Sequence, residues 1–115
     1  MAEIIEKMLE ADVIVMSSPV YFYSVSAQLK VLIDRCIACE REFWETSGKK
    51  AYLISTSGSP DKNSMDAVVA SFRGLFRCLK TVDEGGIIYG NGAFRKGDAK
   101  EHPAMAEAYN MGRIV

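Results

Sequence analysis

The chain is short of nearly everything that would announce a reaction or a partner. Its one histidine, His102, cannot alone build a metal centre or a Ser–His–Asp relay. Charges balance to a net −1, so the basic excess of a nucleic-acid binder is missing, as is the acidic excess of a highly charged electron carrier. No apolar run approaches the roughly 18 residues that cross a membrane. Glu3, Glu6, Lys7, Glu10 and Asp12 break up any signal-peptide core near the start. Three cysteines in such a chain point to reduced thiols and a cytoplasmic location.

What remains is an ordinary globular composition in 115 residues, enough for one domain over 1–115 with a real core. No repeat, low-complexity tract or linker divides it. Ile4, Ile5, Met8 and Leu9 share one side of a helix over 2–10, and Val13–Met16 is a short buried strand. Ser26 is placed to cap a helix carrying Leu29, Leu32, Ile33, Cys36 and Ile37 as its apolar stripe, with Lys30 and Asp34 paired one turn apart. Residues 38–48 read as a polar connection. Ala51–Ser55 is a second buried strand. Asn63 or Ser64 is placed to cap the cleanest helix, striped by Met65, Val68, Val69, Phe72, Leu75, Phe76 and Leu79. Gly86–Tyr89 is a third strand closed by Gly90-Asn91-Gly92, and a last helix starts at Pro103 and stops near Gly112. Alternating helices and strands predict a doubly wound parallel α/β sheet, with strands near 12–16, 50–55 and 86–90 and helices on both faces.

In such a sheet, ligands bind at the carboxyl ends of the strands. The loop there after the first strand carries Ser18, Pro19, Val20, Tyr21, Phe22, Tyr23 and Ser24. Aromatic rings, hydroxyls and free backbone N–H groups suit a flat, polar-edged aromatic ligand better than a phosphate or a metal. The adjacent strand ends in Thr56-Ser57-Gly58-Ser59, which forms the other wall; Gly58 permits close backbone approach.

Ser18-Pro-Val-Tyr-Phe-Tyr-Ser24, then Ser26-Ala-Gln-Leu-Lys30 and Asp34-Arg35, resembles the flavin loop of the flavodoxin-like NAD(P)H-dependent FMN reductases, a group that includes iron–sulfur flavoproteins. The resemblance continues through Thr56-Ser57-Gly58, residues 86–93 and residues 103–112. It implies a three-layer flavodoxin-like fold, FMN as cofactor and NAD(P)H as electron donor. It implies flavin contacts from Ser18, Pro19, Val20, Tyr21, Phe22, Ser24, Thr56, Ser57 and Gly58, with no catalytic acid or base and no metal. Iron–sulfur relatives hold their cluster in an N-terminal segment without a counterpart here, so no cluster is carried over.

Cys36-Ile-Ala-Cys39 is the main competing chemistry. A dithiol site needs a lowered thiol pKa, typically at a helix N-terminus, whereas this pair falls at a helix C-terminal end. A zinc or iron–sulfur site usually needs four ligands, and only Cys78 and His102 remain, unpaired in spacing. Core packing is the favoured reading. His102, before Pro103, reads as a helix-start residue, and Trp44 with Phe43 either roofs the pocket, forms a subunit contact or packs on the core.

Family members open with a strand and a Ser/Gly/Thr-rich loop that holds the FMN phosphate at a helix N-terminus. This sequence enters the pattern after that point, as an N-terminally truncated form keeping the C-terminal three strands. The expectation is weak or absent FMN binding: a loss of ~4 kcal/mol of phosphate contacts is about a thousandfold in affinity. A bare edge on the first strand favours a homo-oligomer. The alternative function is a flavin-free oligomeric assembly domain, with a dithiol redox protein third.

Overall fold

In the computed structural model, which describes residues 1–115, three strands form one parallel sheet in the order β1-β2-β3. They are β1 (Val13–Pro19), β2 (Lys49–Ser57) and β3 (Val82–Asn91), each longer than its apolar run predicts. Ser17 and Ser18 extend β1 because they pair with Ile54 and Ser55, and Pro19 is tolerated at the end of an edge strand. β3 begins at Val82 rather than Gly86, since its first half is an exposed edge of Asp83, Glu84 and Gly85. A bulge falls there: Ala51 pairs with Glu84 but Tyr52 with Gly86. The extra residue is a glycine because the Tyr52 ring occupies the space of its side chain. A Cβ on Gly85 would stand 2.3 Å from the ring.

The helices are α1 (Ala2–Glu10), α2 (Ala27–Arg35), α3 (Glu40–Trp44), α4 (Asp66–Leu79), α5 (Asp98–Glu101) and α6 (Pro103–Gly112). Alternate strand residues point to opposite faces. Ile14, Met16, Ala51 and Leu53 meet Met8 of α1 and the stripe of α4 in a cluster of 16 buried residues. All seven apolar positions of the α4 stripe, Met65 included, are buried, and Phe72 meets Phe76 edge to face at 5.0 Å. Tyr52, Ile54 and Ile88, on the opposite face, meet Ala108 and Met111 of α6. Helices therefore lie on both faces, with most of the burial on one. Buried Lys49 ties α1 to the sheet, its Nζ donating to the carbonyls of Leu9 and Ala11 at 2.6 Å each, where α1 leaves acceptors unpaired.

Three local expectations are corrected. Asp61, not Asn63 or Ser64, provides the cap: it accepts from Asn63 N–H at 2.9 Å and starts a 3₁₀ turn, Lys62–Met65, ahead of α4. Ser64 turns inward to Ser57 instead. The stretch 38–48 is not all connection, because α3 lies within it and its Phe43 is completely buried. The α2 stripe stops at Arg35, where the chain tightens into a 3₁₀ turn, Cys36–Cys39. With three residues per turn, Cys36 and Cys39 align inward and Ile37 is thrown out to 74% exposure.

Trp44 does not roof a pocket at the carboxyl ends of the strands. Its indole donates to Cys78 O at the end of α4, 3.0 Å away, and the ring lies under the Lys80 ammonium. Those residues lead into the start of β3, at the opposite end of the sheet.

Burial, helped by the neighbouring Cys39 thiol, pushes Cys36 up from its ordinary 9.0 to about 11. Burial raises Cys39 as well. Both thiols stay protonated at neutral pH, and Cys78 alone is exposed. Ellman's reagent at pH 8 is expected to titrate one thiol in the native protein and all three in denaturant. Since the folded state favours the protonated Cys36, its contribution is complete below the ordinary value and drains away as pH rises from about 9 to about 11. Three fast native thiols would contradict this packing.

Candidate functional site

The carboxyl ends of the three strands gather three loops, and main-chain hydrogen bonds tie them together beyond the sheet. The N–H of Val20, after β1, donates to Thr56 O at 2.8 Å. Ser57 O accepts from both Gly92 N–H and Ala93 N–H, at 2.8 and 3.0 Å, after β3. The Asn91 side-chain amide donates to Pro60 O at 2.8 Å.

The first loop turns back on itself at Tyr21–Ser24, whose backbones exchange two hydrogen bonds of 3.0 Å. Between them, Phe22 and Tyr23 have φ of +47° and +65°. Two consecutive positive φ values mark the tight hairpin turn usually built from Asn-Gly; aromatic residues adopt it at a cost. The result displays rings: Tyr21 and Tyr23 are largely exposed and Phe22 wholly so. Ser24 is exposed, Pro19 and Val20 half-buried. Ser18 is buried beneath, its hydroxyl donating to Pro19 O and accepting from Ser26 N–H, so it braces the loop from below. Ser26 caps α2 as its sequence suggests, accepting from Leu29 N–H.

In the second loop, Thr56 is exposed beside Pro19, its register partner. Ser57 is buried; its hydroxyl lies 3.0 Å from that of Ser64 and accepts from Ser59 N–H. Its side chain, like that of Ser18, is committed within the protein. Gly58 is exposed, and a methyl group there would lie 2.8 Å from Cδ2 of Phe94.

The site thus combines exposed rings with unspent donors. The backbone N–H groups of Phe22, Tyr23 and Gly58 donate to nothing within the chain. Residues 19–24 and 56–59 contain no carboxylate, histidine, lysine or arginine. This donor set fits the edge of a neutral, flat heteroaromatic ring such as an isoalloxazine and gives a metal nothing to bind. No cluster of three metal-ligating side chains exists in the chain.

Sequence reasoning missed the third loop. Its Gly90-Asn91-Gly92 turn reads only as the end of a strand, but the two hydrogen bonds from Gly92 and Ala93 N–H to Ser57 O bring it into the site. The overlooked signal was Phe94, an apolar residue just past that turn. His102 is part of the frame: Nδ1 accepts from Ala104 N–H at 3.1 Å and Nε2 faces Asn91 O at 2.9 Å. An accepting Nδ1 leaves the proton on Nε2, so the ring caps α6 and holds the end of β3 at once. The Cys36–Cys39 pair lies outside these loops, in the core.

A family model described as NADPH-dependent FMN reductase matches residues 1–93. An iron–sulfur flavoprotein of Methanocaldococcus jannaschii is 67% identical over 33 residues, which is 29% of this chain and 17% of that protein. An FMN-dependent NADH:quinone oxidoreductase of Thiobacillus denitrificans is 28% identical over 130 aligned residues, covering 92% of this chain and 63% of the relative. The chain spans less than two thirds of the length of these curated relatives. Among solved structures, the Trp repressor binding protein from Bacillus subtilis superposes with a TM-score of 0.80 at 22% identity, over 96% of this chain and 68% of that one. The last likeness shows the fold alone, a parallel α/β sheet as the alternation of helices and strands predicts and flavodoxin-like as the family resemblance implies.

The strained turn gives a direct test. Replacing Phe22→Asn together with Tyr23→Gly is expected to stabilise the protein by about 1–2 kcal/mol, because both positions then suit positive φ. The same change removes two displayed rings and is expected to weaken binding of a flat aromatic ligand. Urea unfolding measures the first effect; a double variant less stable than wild type would show that the turn stores no strain.

Proposed function

This chain belongs to the NADPH-dependent FMN reductase family, and from that membership we propose that it holds the ring of FMN in an NAD(P)H-dependent oxidoreductase. The observation carrying this reading is the pairing of displayed rings at Tyr21, Phe22 and Tyr23 with unspent N–H groups at Phe22, Tyr23 and Gly58. FMN supplies two-electron transfer from NAD(P)H to an acceptor when bound. The protein's share is positioning and electrostatics. Preorganised neutral donors stabilise negative charge developing on a ring without a fixed cation, and they need no reorganisation at the moment of reaction. A pair of loops without a titrating acid or base among residues 19–24 and 56–59, apart from the two tyrosines, suits that division of labour.

In this reading Tyr21, Phe22, Ser24 and Thr56 flank the ring, Pro19, Val20 and Gly58 bring backbone close to it, and Ser18 and Ser57 brace the two loops from behind. Residues 1–115 act as one flavodoxin-like domain. No helix is long and apolar enough to cross a membrane. Three free cysteines suit a reducing compartment, for which we propose the cytoplasm. β1 pairs only with β2, and Val15 on it is 58% exposed, which supports self-association along that edge. A flavin-free assembly domain would leave the strained aromatic turn without a purpose, and the family match weighs against it.

FMN fluorescence titration, run beside light scattering, tests the proposal. Weak but saturable binding is expected, with Tyr21→Ala and Phe22→Ala each weakening it further by roughly 5- to 150-fold, the range for loss of a ring-on-ring contact. The scattering mass is expected above the 12.7 kDa of one chain. No binding by wild type, or unchanged affinity in both variants, would overturn the assignment of this loop.

A further inference from the structure

The single histidine ties the third loop to α6 through two hydrogen bonds that only its neutral form makes together. Nε2 carries the ring proton toward Asn91 O at 2.9 Å, and Nδ1 accepts from Ala104 N–H at 3.1 Å. A second proton would have to sit on Nδ1, where it would point at that N–H, donor against donor. Ala104 N–H has no other acceptor in the chain. The ring also stands at the N-terminal end of a ten-residue helix, where the macrodipole disfavours a cation. No carboxylate offsets one, since His102 joins none of the three ion pairs. Among the charged neighbours, Asp98 of α5 is committed to the N–H groups of Phe94 and Arg95. Lys100 and Glu101 of α5, Glu107 of α6, and Arg95 and Lys96 of the loop are exposed to water. The end of β2 brings only Thr56, and Tyr89 of β3 points to the other face of the sheet, under Lys62. Beside the ring lies a cavity of about 140 Å³ whose other lining residues carry no charge.

The segment held in this way braces the second loop of the site. Gly92 and Ala93 donate to Ser57 O, and the Asn91 amide donates to Pro60 O. The Phe94 ring lies against Gly58, whose N–H is one of the unspent donors. Resting on the flavin reading above, we propose that His102 is a positioning residue that makes the ring site depend on pH. Neutral, it locks the third loop to α6. Protonated, it breaks one of its two links, the cavity gives the ring room to swing away, and the loop and Gly58 lose their fixed place. The direction follows from the neutral form alone making both bonds. The site is complete above the range in which an ordinary histidine takes up a proton, about pH 6.5, and slackens as pH falls through it.

The test titrates riboflavin, which has the ring of FMN without its titrating phosphate, near pH 8 and near pH 5.5. Wild type is compared with His102→Asn, which keeps an acceptor for the helix start, and His102→Gln, which keeps a side-chain donor; neither takes up a proton. Wild type is expected to bind riboflavin about threefold or more weakly at the lower pH, and each variant to stay within about twofold of its own value. A merely structural histidine would change the affinity of the variants without this contrast in pH. In NMR of the ligand-free wild type, the one imidazole and the amides of Gly92, Ala93 and Ala104 are expected to move with a common midpoint. Wild-type affinity that ignores pH, or variants that keep the wild-type ratio, would overturn the proposal and leave the flavin reading standing. So would a ring that titrates while Gly92 and Ala93 stay still. A wild type that binds no riboflavin at either pH removes the flavin reading and this proposal together.

Discussion

Two carbonyl oxygens at the end of the central strand organise everything this protein presents at its candidate site. Thr56 O holds the loop after β1 through Val20, and Ser57 O holds the loop after β3 through Gly92 and Ala93. Parallel pairing makes this possible, because all three strands end at the same edge of the sheet and their last carbonyls point sideways at neighbouring chains. Beneath them the buried hydroxyls of Ser18, Ser57 and Ser64 turn polar groups into struts. Buried donors and acceptors satisfied in this way make a loop rigid rather than merely covered. Ser55 is the exception: fully buried on β2, its hydroxyl has no partner in the chain, and the residue lines a small cavity with Thr56, Gly90 and His102.

Rigidity of that kind is what allows strain to persist. Phe22 and Tyr23 sit at positive φ between two hydrogen bonds that close the turn. A freely mobile loop would relax out of that conformation. Strained residues tend to gather where structure is bent to a task, and here the bend pushes aromatic rings into solvent and leaves their N–H groups without a partner in the chain. The Cys36–Cys39 pair shows the opposite treatment. Its thiols are driven into the core by a change of helical pitch, and burial makes them poor nucleophiles. The pair is thereby kept out of dithiol redox chemistry.

The centres of the strands, the stripe of α4, the cap at Ser26 and the helix start at Pro103 were legible in the sequence, because hydrophobic period and end residues are local signals. The strand ends were not. Ser17, Ser18 and Pro19 look like a loop until Ser55 and Thr56 are seen beside them, and Asp83–Gly85 lack the apolar run that marks a strand, so that the third strand reads as starting only at Gly86. The resemblance carried by Ser18–Ser24 pointed to the right family. It could not reveal that Ser18 and Ser57 face inward, since one residue's shift along a strand decides which face a hydroxyl takes. Phe94 was overlooked because its role depends on a contact with Gly58, 36 positions away in sequence, which no periodicity encodes.

The central claim is that the loops after β1 and β2 form one face for a flavin ring. Amide chemical-shift mapping of the isotopically labelled protein during FMN addition tests it most directly. The account predicts that the largest shifts fall on the N–H groups of Phe22, Tyr23 and Gly58, with the engaged N–H groups of Val20 and Ser59 moving less. Shifts centred instead on the apolar groove between α2 and α4, around Ile33, Ile37 and Leu75, or spread evenly over the chain, would contradict it.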